Sequence, residues 1–190
     1  MSENAPKRGA SLWLIGVLCV APVVASYFAY YVMPPGGHTN YGELMDAMPL
    51  PDARLGLVDG TPFQLSQLRG KWVLLMAGSA RCDEACRRTL FTLRQLRLTQ
   101  GKDMERIERV WLVSDDAVPS DALMSDYRGI WLVRAAASEL LTRLPAEHPH
   151  TEYIYLIDPL GNLVLRYGRD AEPGKMIKDL TRLLKTSRIG

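Results

Sequence analysis

The sequence predicts an α/β domain with a mixed central sheet flanked by helices, and three observations support that fold class. Apolar runs at residues 72–77 and 110–113 predict strands buried on both faces, because such strands need no polar alternation. Helical patterns alternate with these runs along the chain. A terminal hairpin then precedes an amphipathic helix. Strands that alternate with helices and end in a hairpin indicate a mixed sheet covered on both faces.

Turn residues and apolar spacing predict the elements before the second buried strand. Asp59-Gly60 suits a hairpin turn, and Gly70 ends a short helical segment. Leu90, Leu93 and Leu96 recur at helical spacing with arginines between them, which is typical of a helix with one apolar face. The predicted elements are a hairpin with arms at residues 55–58 and 63, a helical turn at 64–69, the strand at 72–77 and a helix at 83–99.

The second half of the domain continues this alternation. Pro145 ends a helical pattern, and alternating aromatic and β-branched residues predict a strand followed by a turn at residues 158–162. Asp115 and Asp116 follow the second buried strand, where they could cap a helix or line a site; we expect the cap. The predicted elements are the strand at residues 110–113, a helix at 121–127, a strand at 130–133, a helix at 136–144, a hairpin pairing 153–157 with 163–167, and a helix at 173–185.

An uncharged apolar segment lies near the N-terminus. Residues 12–33 carry no charged side chain, and about 20 apolar residues span the hydrocarbon core of a bilayer. Trp13 near one end and a tyrosine cluster near the other suit the two headgroup regions. We therefore predict an uncleaved transmembrane helix over residues 12–33. A signal peptide cleaved at the small residues 24–26 is the alternative.

The charges around this segment predict its orientation and the location of the domain. Lys7 and Arg8 precede it and no basic residue follows until Arg54, so the positive-inside rule places residues 1–11 in the cytoplasm. Residues 34–52 are rich in proline and glycine and are predicted to form a flexible tether. Residues 53–190 then form one domain. In a bacterium with two membranes, the chain is a single-pass inner-membrane protein whose domain lies in the oxidising periplasm.

The overall charge argues against nucleic acid as a partner. The formal net charge is +2, from 23 basic and 21 acidic side chains. These charges are interleaved along the chain and form no basic stripe, which is the feature that nucleic-acid binding requires. The interactions expected from the sequence are therefore with a membrane and with other proteins.

The three cysteines lie in two different settings. Cys19 falls within the predicted anchor, where we expect a small apolar residue without a further role. Cys82 and Cys86 lie in the exported part, where a buried strand leads into a helix. Two cysteines are too few for the disulfide framework of a small stapled domain.

The spacing of Cys82 and Cys86 points to sulfur chemistry. Side chains at i and i+4 of a helix are about 5–6 Å apart, which suits a disulfide or two thiolates on one metal ion. The helix N-terminus and neighbouring arginines stabilise thiolates, and soft thiolates select Cu(I) over hard ions. From the residues alone, the pair could hold a metal, exchange electrons, brace the fold or have no role. His148 and His150, in the loop before the strand at 153–157, are candidates for a further ligand.

These motifs, in this order, resemble the Sco/SenC family of membrane-tethered, thioredoxin-like proteins associated with copper delivery to cytochrome c oxidase. The family's Cys-x-x-x-Cys matches residues 82–86. Its distal histidine, followed by Ser or Thr and then a strand and turn, matches His150-Thr151 and the segment YLIDPLG at 155–161. The segments GTPFQL at 60–65 and LRGK at 68–71 resemble the wider thioredoxin-like group. The resemblance covers about residues 54–186.

The resemblance implies a thioredoxin-like fold and a copper chaperone that assists assembly of cytochrome c oxidase. Cys82, Cys86 and His150 are implied to bind copper as Cu(I) or Cu(II), with His148 as the weaker candidate for the imidazole ligand. The implied partners are the copper-bearing subunit of the oxidase or other copper and thiol proteins of the periplasm. Transfer of copper by ligand exchange makes the protein a metallochaperone rather than an enzyme.

Two other functions stay open on the sequence. Cys82 and Cys86 could be the catalytic dithiol of a thiol–disulfide oxidoreductase that acts on the copper-site cysteines of a partner. Their spacing differs from the usual redox motif, in which two residues separate the cysteines. Alternatively, a permanent disulfide could brace a non-catalytic docking module.

Overall fold

The structure, a computed structural model, describes residues 8–32, 40–187 and 189. The chain divides into two compact units, Met1–Thr39 and Asn40–Gly190. In the first unit, helix α1 covers Arg8–Val32. Across the described residues, no helix has both the length and the apolar character that crossing a membrane requires. The anchor over residues 12–33 therefore stays a prediction.

Among the described residues of the second unit, eight strands form one mixed sheet. The strands are β1 Glu43–Pro49, β2 Leu55–Leu57, β3 Pro62–Phe63, β4 Trp72–Gly78, β5 Ile107–Val113, β6 Ile130–Arg134, β7 Ile154–Ile157 and β8 Asn162–Tyr167. Their order across the sheet is β1-β8-β7-β4-β5-β6-β2-β3. The neighbours β4, β5 and β6 run parallel, and the other adjacent pairs are antiparallel.

Helices cover both faces of the sheet, so the two sets of side chains on each central strand are buried in different cores. The helices are α2 Glu84–Leu98, α3 Asp121–Asp126, α4 Glu139–Arg143 and α5 Pro173–Thr186. Helices α2, α3 and α5 contribute leucines to the first core, which also contains Met76 and Cys82. Helix α4 and the 3₁₀ turn Leu65–Leu68 contribute to the second core, which also contains Tyr155.

The predicted α/β class with a mixed sheet is confirmed, and the predicted elements after residue 53 all form. Strand β4 is buried along its whole length between β5 and β7, as its uninterrupted apolar run predicts. Helix α4 is shorter than predicted. It begins after Ser138, whose side chain accepts a hydrogen bond from the Leu141 N–H and so fixes the helix start.

The prediction of a flexible tether over residues 34–52 is wrong where strand β1 forms. Residues 34–39 lie outside the described residues, but β1 adds to the edge of the sheet beside β8. Most of its side chains are exposed, with only every third one partly buried, so the strand lacks the alternating pattern that identifies strands in a sequence. Its proline, Pro49, is its last residue, a position that a sheet edge tolerates.

Buried charged side chains hold strand β1 and the residues before it in place. The Asp179 carboxylate, 4% exposed, accepts hydrogen bonds from the Tyr41 and Gly42 N–H groups at 2.7 and 2.8 Å. The guanidinium of buried Arg166 donates to Glu43 at 2.6 and 2.9 Å. Since a charged acceptor that pairs two backbone N–H groups contributes more than a neutral one, Asp179 is the principal link between α5 and the start of the unit.

Replacing Asp179 should therefore destabilise the second unit. We expect Asp179→Ala to lower the free energy of unfolding by about 2–4 kcal/mol, because two backbone N–H groups lose a charged acceptor. Chemical denaturation of the full chain measures this loss. Asp170→Ala, at an exposed aspartate, is the matched control and should change the value by less than about 0.5 kcal/mol. Equal effects of the two variants would show that Asp179 does not hold this segment.

Candidate functional site

The two cysteines follow the carboxyl end of β4, at the edge where the parallel strands end. The Gly78 carbonyl, at the end of β4, accepts hydrogen bonds from the Trp111 Nε1–H at 3.2 Å and the Ser114 N–H at 3.0 Å. These bonds fix the point at which the chain leaves the sheet. Loops at this edge of an α/β sheet are where such folds place binding sites, because rigid strands position them.

Cys82 and Cys86 form a disulfide, with their Cα atoms 5.1 Å apart. The predicted proximity of the two sulfurs is therefore confirmed, although only Cys86 lies on the helix. Cys82 precedes the N-cap residue Asp83 and has a left-handed backbone, with φ of 36°. The Asp83 carboxylate accepts a hydrogen bond from the Cys86 N–H at 2.9 Å, which fixes Cys86 in the first turn of α2.

Asp115, which follows β5, holds the loop that carries Cys82. Its carboxylate accepts hydrogen bonds from the Ser79 hydroxyl and from the Ala80 N–H, the latter at 3.1 Å. The Ser79 Oγ in turn accepts from the Arg81 N–H at 3.1 Å, and the Ser79 carbonyl from the Cys82 N–H at 3.2 Å. This network supports the left-handed backbone at Cys82, a conformation that is unfavourable for a residue other than glycine.

The expectation that Asp115 caps a helix is wrong, because Ser120 is the N-cap of α3. The pKa of Asp115 is lowered, chiefly by the hydrogen bond from Ser79 and then by that from the Ala80 N–H. The only sequence signal that Asp115 holds the cysteine loop was its position directly after β5, the parallel neighbour of β4. Ser79, which links the carboxylate to the cysteine loop, had no such signal.

A cavity of about 570 Å³ lies beside the disulfide. Both cysteines line it, together with Met76, Met176 and Arg81. The two cysteines differ in exposure: Cys82 is 5% exposed, whereas Cys86 is half-buried. The disulfide is thus more exposed at Cys86 than at Cys82.

His150, the predicted third ligand, faces away from the cysteines in this state. Its Nδ1 lies 3.3 Å from the hydroxyl of Tyr155, which belongs to the core on the other face of the sheet from Cys82. The Tyr155 hydroxyl donates its hydrogen to the Pro145 carbonyl at 3.1 Å, so it accepts from a protonated Nδ1. The Nε2 atom therefore carries the free lone pair. Burial lowers the pKa of His150, which favours the neutral ring that a metal requires.

The segment that carries His150 nevertheless lies next to the cysteine loop. Thr151 and Glu152, the two residues after it, line the cavity beside the disulfide. The methyl group of Thr151 lies within 3.5 Å of the position that a side-chain carbon at Gly78 would occupy. His148, the weaker candidate, is exposed and lines an adjoining surface depression beside Glu147 and Arg166, not the cavity beside the disulfide.

The fit of this site to a metal ion is therefore partial. Two soft sulfur atoms are close enough to share one ion after reduction. Among the described residues, however, no three His, Cys, Asp or Glu side chains are grouped closely enough to hold a metal. The structure brings Cys82 and Cys86 together but leaves His150 and His148 apart from them.

The lowered pKa of Asp115 predicts a dependence of stability on pH. An aspartate whose pKa is lowered by folding contributes stability above its ordinary pKa of about 3.9, and this contribution is lost as the pH falls through the lowered value. We expect Asp115→Asn to lower the free energy of unfolding at pH 7, with a smaller difference from the wild type as the pH falls below about 4.

Denaturant unfolding of both proteins across this pH range measures the difference. Asp116→Asn, at the exposed neighbour, is the matched control and should leave the free energy of unfolding at pH 7 nearly unchanged. A constant difference between Asp115→Asn and the wild type at all pH values would show that the charge of Asp115 does not stabilise the loop.

Solved structures with a similar fold include those of Sco proteins. Yeast Sco1 with copper bound is 18% identical, with a TM-score of 0.62 over 75% of this chain and 96% of that chain. Bradyrhizobium japonicum ScoI with copper bound is 19% identical, with a TM-score of 0.53 over 73% and 99% of the two chains. Apo Sco1 from Thermus thermophilus is 24% identical, with a TM-score of 0.57 over 79% and 98%. The resemblance to Sco/SenC proteins is thus confirmed at the level of the fold.

A family model covers most of the second unit. No curated protein sequence matches the chain significantly. The model for the transmembrane-like, thioredoxin-like, C-terminal domain matches residues 72–187, from the start of β4 to the residue after α5. This range contains both cysteines, Asp115 and His150. The chain therefore belongs to the family of transmembrane-like proteins with a thioredoxin-like C-terminal domain.

Proposed function

We propose that this protein binds copper as Cu(I) through the thiolates of Cys82 and Cys86 and passes it to a partner. The observation that carries the proposal is the pair of sulfur atoms, joined in a disulfide beside a cavity in a fold similar to that of copper-bound Sco proteins. Soft sulfur ligands select Cu(I) over the hard ions of the periplasm. Copper is in this case cargo, so the protein is a metallochaperone rather than an enzyme.

Copper loading requires the reduced form of the cysteine pair. The disulfide must accept two electrons and two protons to give two thiols, which bind Cu(I) after losing their protons. The fixed loop keeps the two sulfur atoms close, so the ion does not have to draw two separate segments together. The proposed recipient is the copper-bearing subunit of cytochrome c oxidase, or another copper or thiol protein, which takes the ion by ligand exchange.

His150 is the proposed third ligand and would bind through Nε2. Its tautomer supports this role, because the bond between Nδ1 and Tyr155 leaves the Nε2 lone pair free. Ligand histidines commonly have the other ring nitrogen fixed by such a hydrogen bond. The ring would reach the thiolates by a rearrangement of the 3₁₀ turn His150–Glu152, whose second and third residues already line the cavity.

A thiol–disulfide oxidoreductase is the second candidate function. The observation that favours it is the disulfide itself, whose half-buried Cys86 can be reached from the cavity. Exchange with a partner's cysteines needs no third ligand, and the separation of His150 from the cysteines does not weaken it. The two functions differ in whether reduced protein retains copper.

Copper titration of the full chain tests the principal proposal. In a Cys19→Ser background, which removes the exposed third thiol, the reduced protein should bind about one Cu(I) per chain against a chromophoric chelator under anaerobic conditions. Adding Cys82→Ser or Cys86→Ser should abolish tight binding, because one thiolate remains. His150→Ala should weaken binding by at least about tenfold, since a ligand is lost.

The matched control for His150 is His148→Ala, which should leave the affinity unchanged. Circular dichroism and denaturant midpoints establish that each variant is folded. Unchanged affinity in His150→Ala would remove the histidine from the site but keep the cysteine pair. Failure of the reduced Cys19→Ser protein to bind copper, with turnover of a model disulfide, would replace the chaperone function with the oxidoreductase.

We also propose that residues 12–33 anchor the chain in the inner membrane with the thioredoxin-like domain in the periplasm. The uncharged segment and the preceding Lys7 and Arg8 support this orientation. The oxidising periplasm also suits a protein with a disulfide.

Reporter fusions test this location. Alkaline phosphatase, which needs its own disulfides, should be active when fused after residue 190 and inactive when fused after residue 11. The fused protein should also stay with the membrane fraction after a carbonate wash. Activity at both positions, or release by the wash, would contradict the proposed anchor.

A further inference from the structure

We infer that Cys86, rather than Cys82, is the sulfur that a reducing thiol attacks to open the disulfide. The inference deepens the proposed function, because the cysteine pair must be reduced before it can take up copper. It rests on a difference in exposure between the two cysteines that the disulfide joins. Cys82 is 5% exposed and belongs to the first core, whereas Cys86 is half-buried and only packs against that core.

The backbone around each cysteine explains this difference. Cys82 lies in the loop that Asp115 and Ser79 hold against the end of β4, and its own N–H is bonded to the Ser79 carbonyl. Cys86 lies in the first turn of α2. Its helical neighbours Ala85 and Thr89 line the same cavity, so this side of the helix faces the open space. Both cysteines line the cavity, and a thiol that enters it meets Cys86, the more exposed of the two.

Electrostatics alone does not distinguish the two sulfur atoms. The attacking group is an anion, and Arg81 and Arg88 line the cavity together with the acidic side chains of Asp83 and Glu152. Arg88 is also paired with Glu84 at 2.9 Å, which offsets part of its charge. The helix N-terminus contributes partial positive charge near both cysteines. Since these contributions oppose one another, access decides which sulfur reacts.

The resulting reaction is balanced as a two-step exchange with an external dithiol. The first thiolate of the dithiol attacks the Cys86 Sγ, the Sγ–Sγ bond breaks, and its electron pair leaves on the Cys82 Sγ. The second thiolate of the dithiol then attacks the dithiol sulfur that is bonded to the Cys86 Sγ. The dithiol's own disulfide forms, and Cys86 is released as a thiolate. The external dithiol loses two electrons and two protons, and the cysteine pair gains them.

Trapping the intermediate identifies the attacked sulfur directly. Oxidised full chain with Cys19→Ser is mixed briefly with glutathione, whose single thiol gives the mixed disulfide before a second glutathione can complete the reduction. Rapid addition of iodoacetamide alkylates the cysteine that was released. Peptide mass spectrometry should find glutathione on Cys86 and the alkyl group on Cys82, in an excess of about tenfold or more over the opposite pattern. An excess of glutathione on Cys82 would overturn the inference.

Single-cysteine variants provide a second measurement that does not depend on the trapped intermediate. In the Cys19→Ser background, Cys82→Ser leaves only the Cys86 thiol, and Cys86→Ser leaves only the Cys82 thiol. We expect the first to react with Ellman's reagent about tenfold faster than the second under native conditions, since burial slows the Cys82 thiol. In denaturant the rates should become similar, because the difference arises from the fold.

Comparable native rates in the two variants, with each shown to be folded, would also contradict the inference. Both measurements are made without copper. A protein that binds no copper but is attacked at Cys86 would refute the chaperone function and keep this inference. A protein that binds copper but is attacked at Cys82 would support the chaperone function and refute this inference.

Discussion

The fixed course of the chain between β4 and α2 is the constraint on which the site depends. The strand is buried between two neighbours, so its end cannot move without disturbing both cores. Asp115 then holds the following loop through Ser79 and Ala80, and Asp83 fixes the first turn of the helix. Each of these contacts limits the position of one cysteine relative to the other. The proximity of the two sulfur atoms therefore depends on side chains that fix the backbone on either side of the cysteines.

The central elements of the fold were predictable because burial on both faces of the sheet leaves a strong pattern in the sequence. The apolar run of β4 and the leucine spacing of α2 are signals of that kind. Strand β1 was not predictable, since its stability comes from contacts with residues more than 100 positions away, such as Asp179 and Arg166. A mostly exposed edge strand carries almost no record of those contacts in its own residues.

In the candidate site, too, the proximity of residues close in the sequence was predictable, and that of residues far apart in the sequence was not. Cys82 and Cys86 are four residues apart, so their proximity follows from short-range geometry. The distance from His150 to the cysteines depends instead on the face of the sheet towards which its ring points. The ring contacts the Tyr155 hydroxyl and is therefore directed towards the second core. The loop before β7 thus lies near both Tyr155 and the end of β4. The tyrosine fixes the tautomer of the ring, while the next residue, Thr151, lies beside Gly78 at the end of β4.

The two edges of the sheet limit how another protein can join it. Strand β3 is two residues long and begins with a proline, and β1 has an irregular register between Leu44 and Met48 and ends at Pro49. Short, interrupted or proline-bearing margins are poor templates for intermolecular strand pairing, because few consecutive N–H and C=O groups are aligned. Continuous β-structure shared between molecules is therefore disfavoured at either margin. A partner protein would then bind through side chains and loops, and such a complex dissociates more readily after the reaction than one joined by a shared sheet.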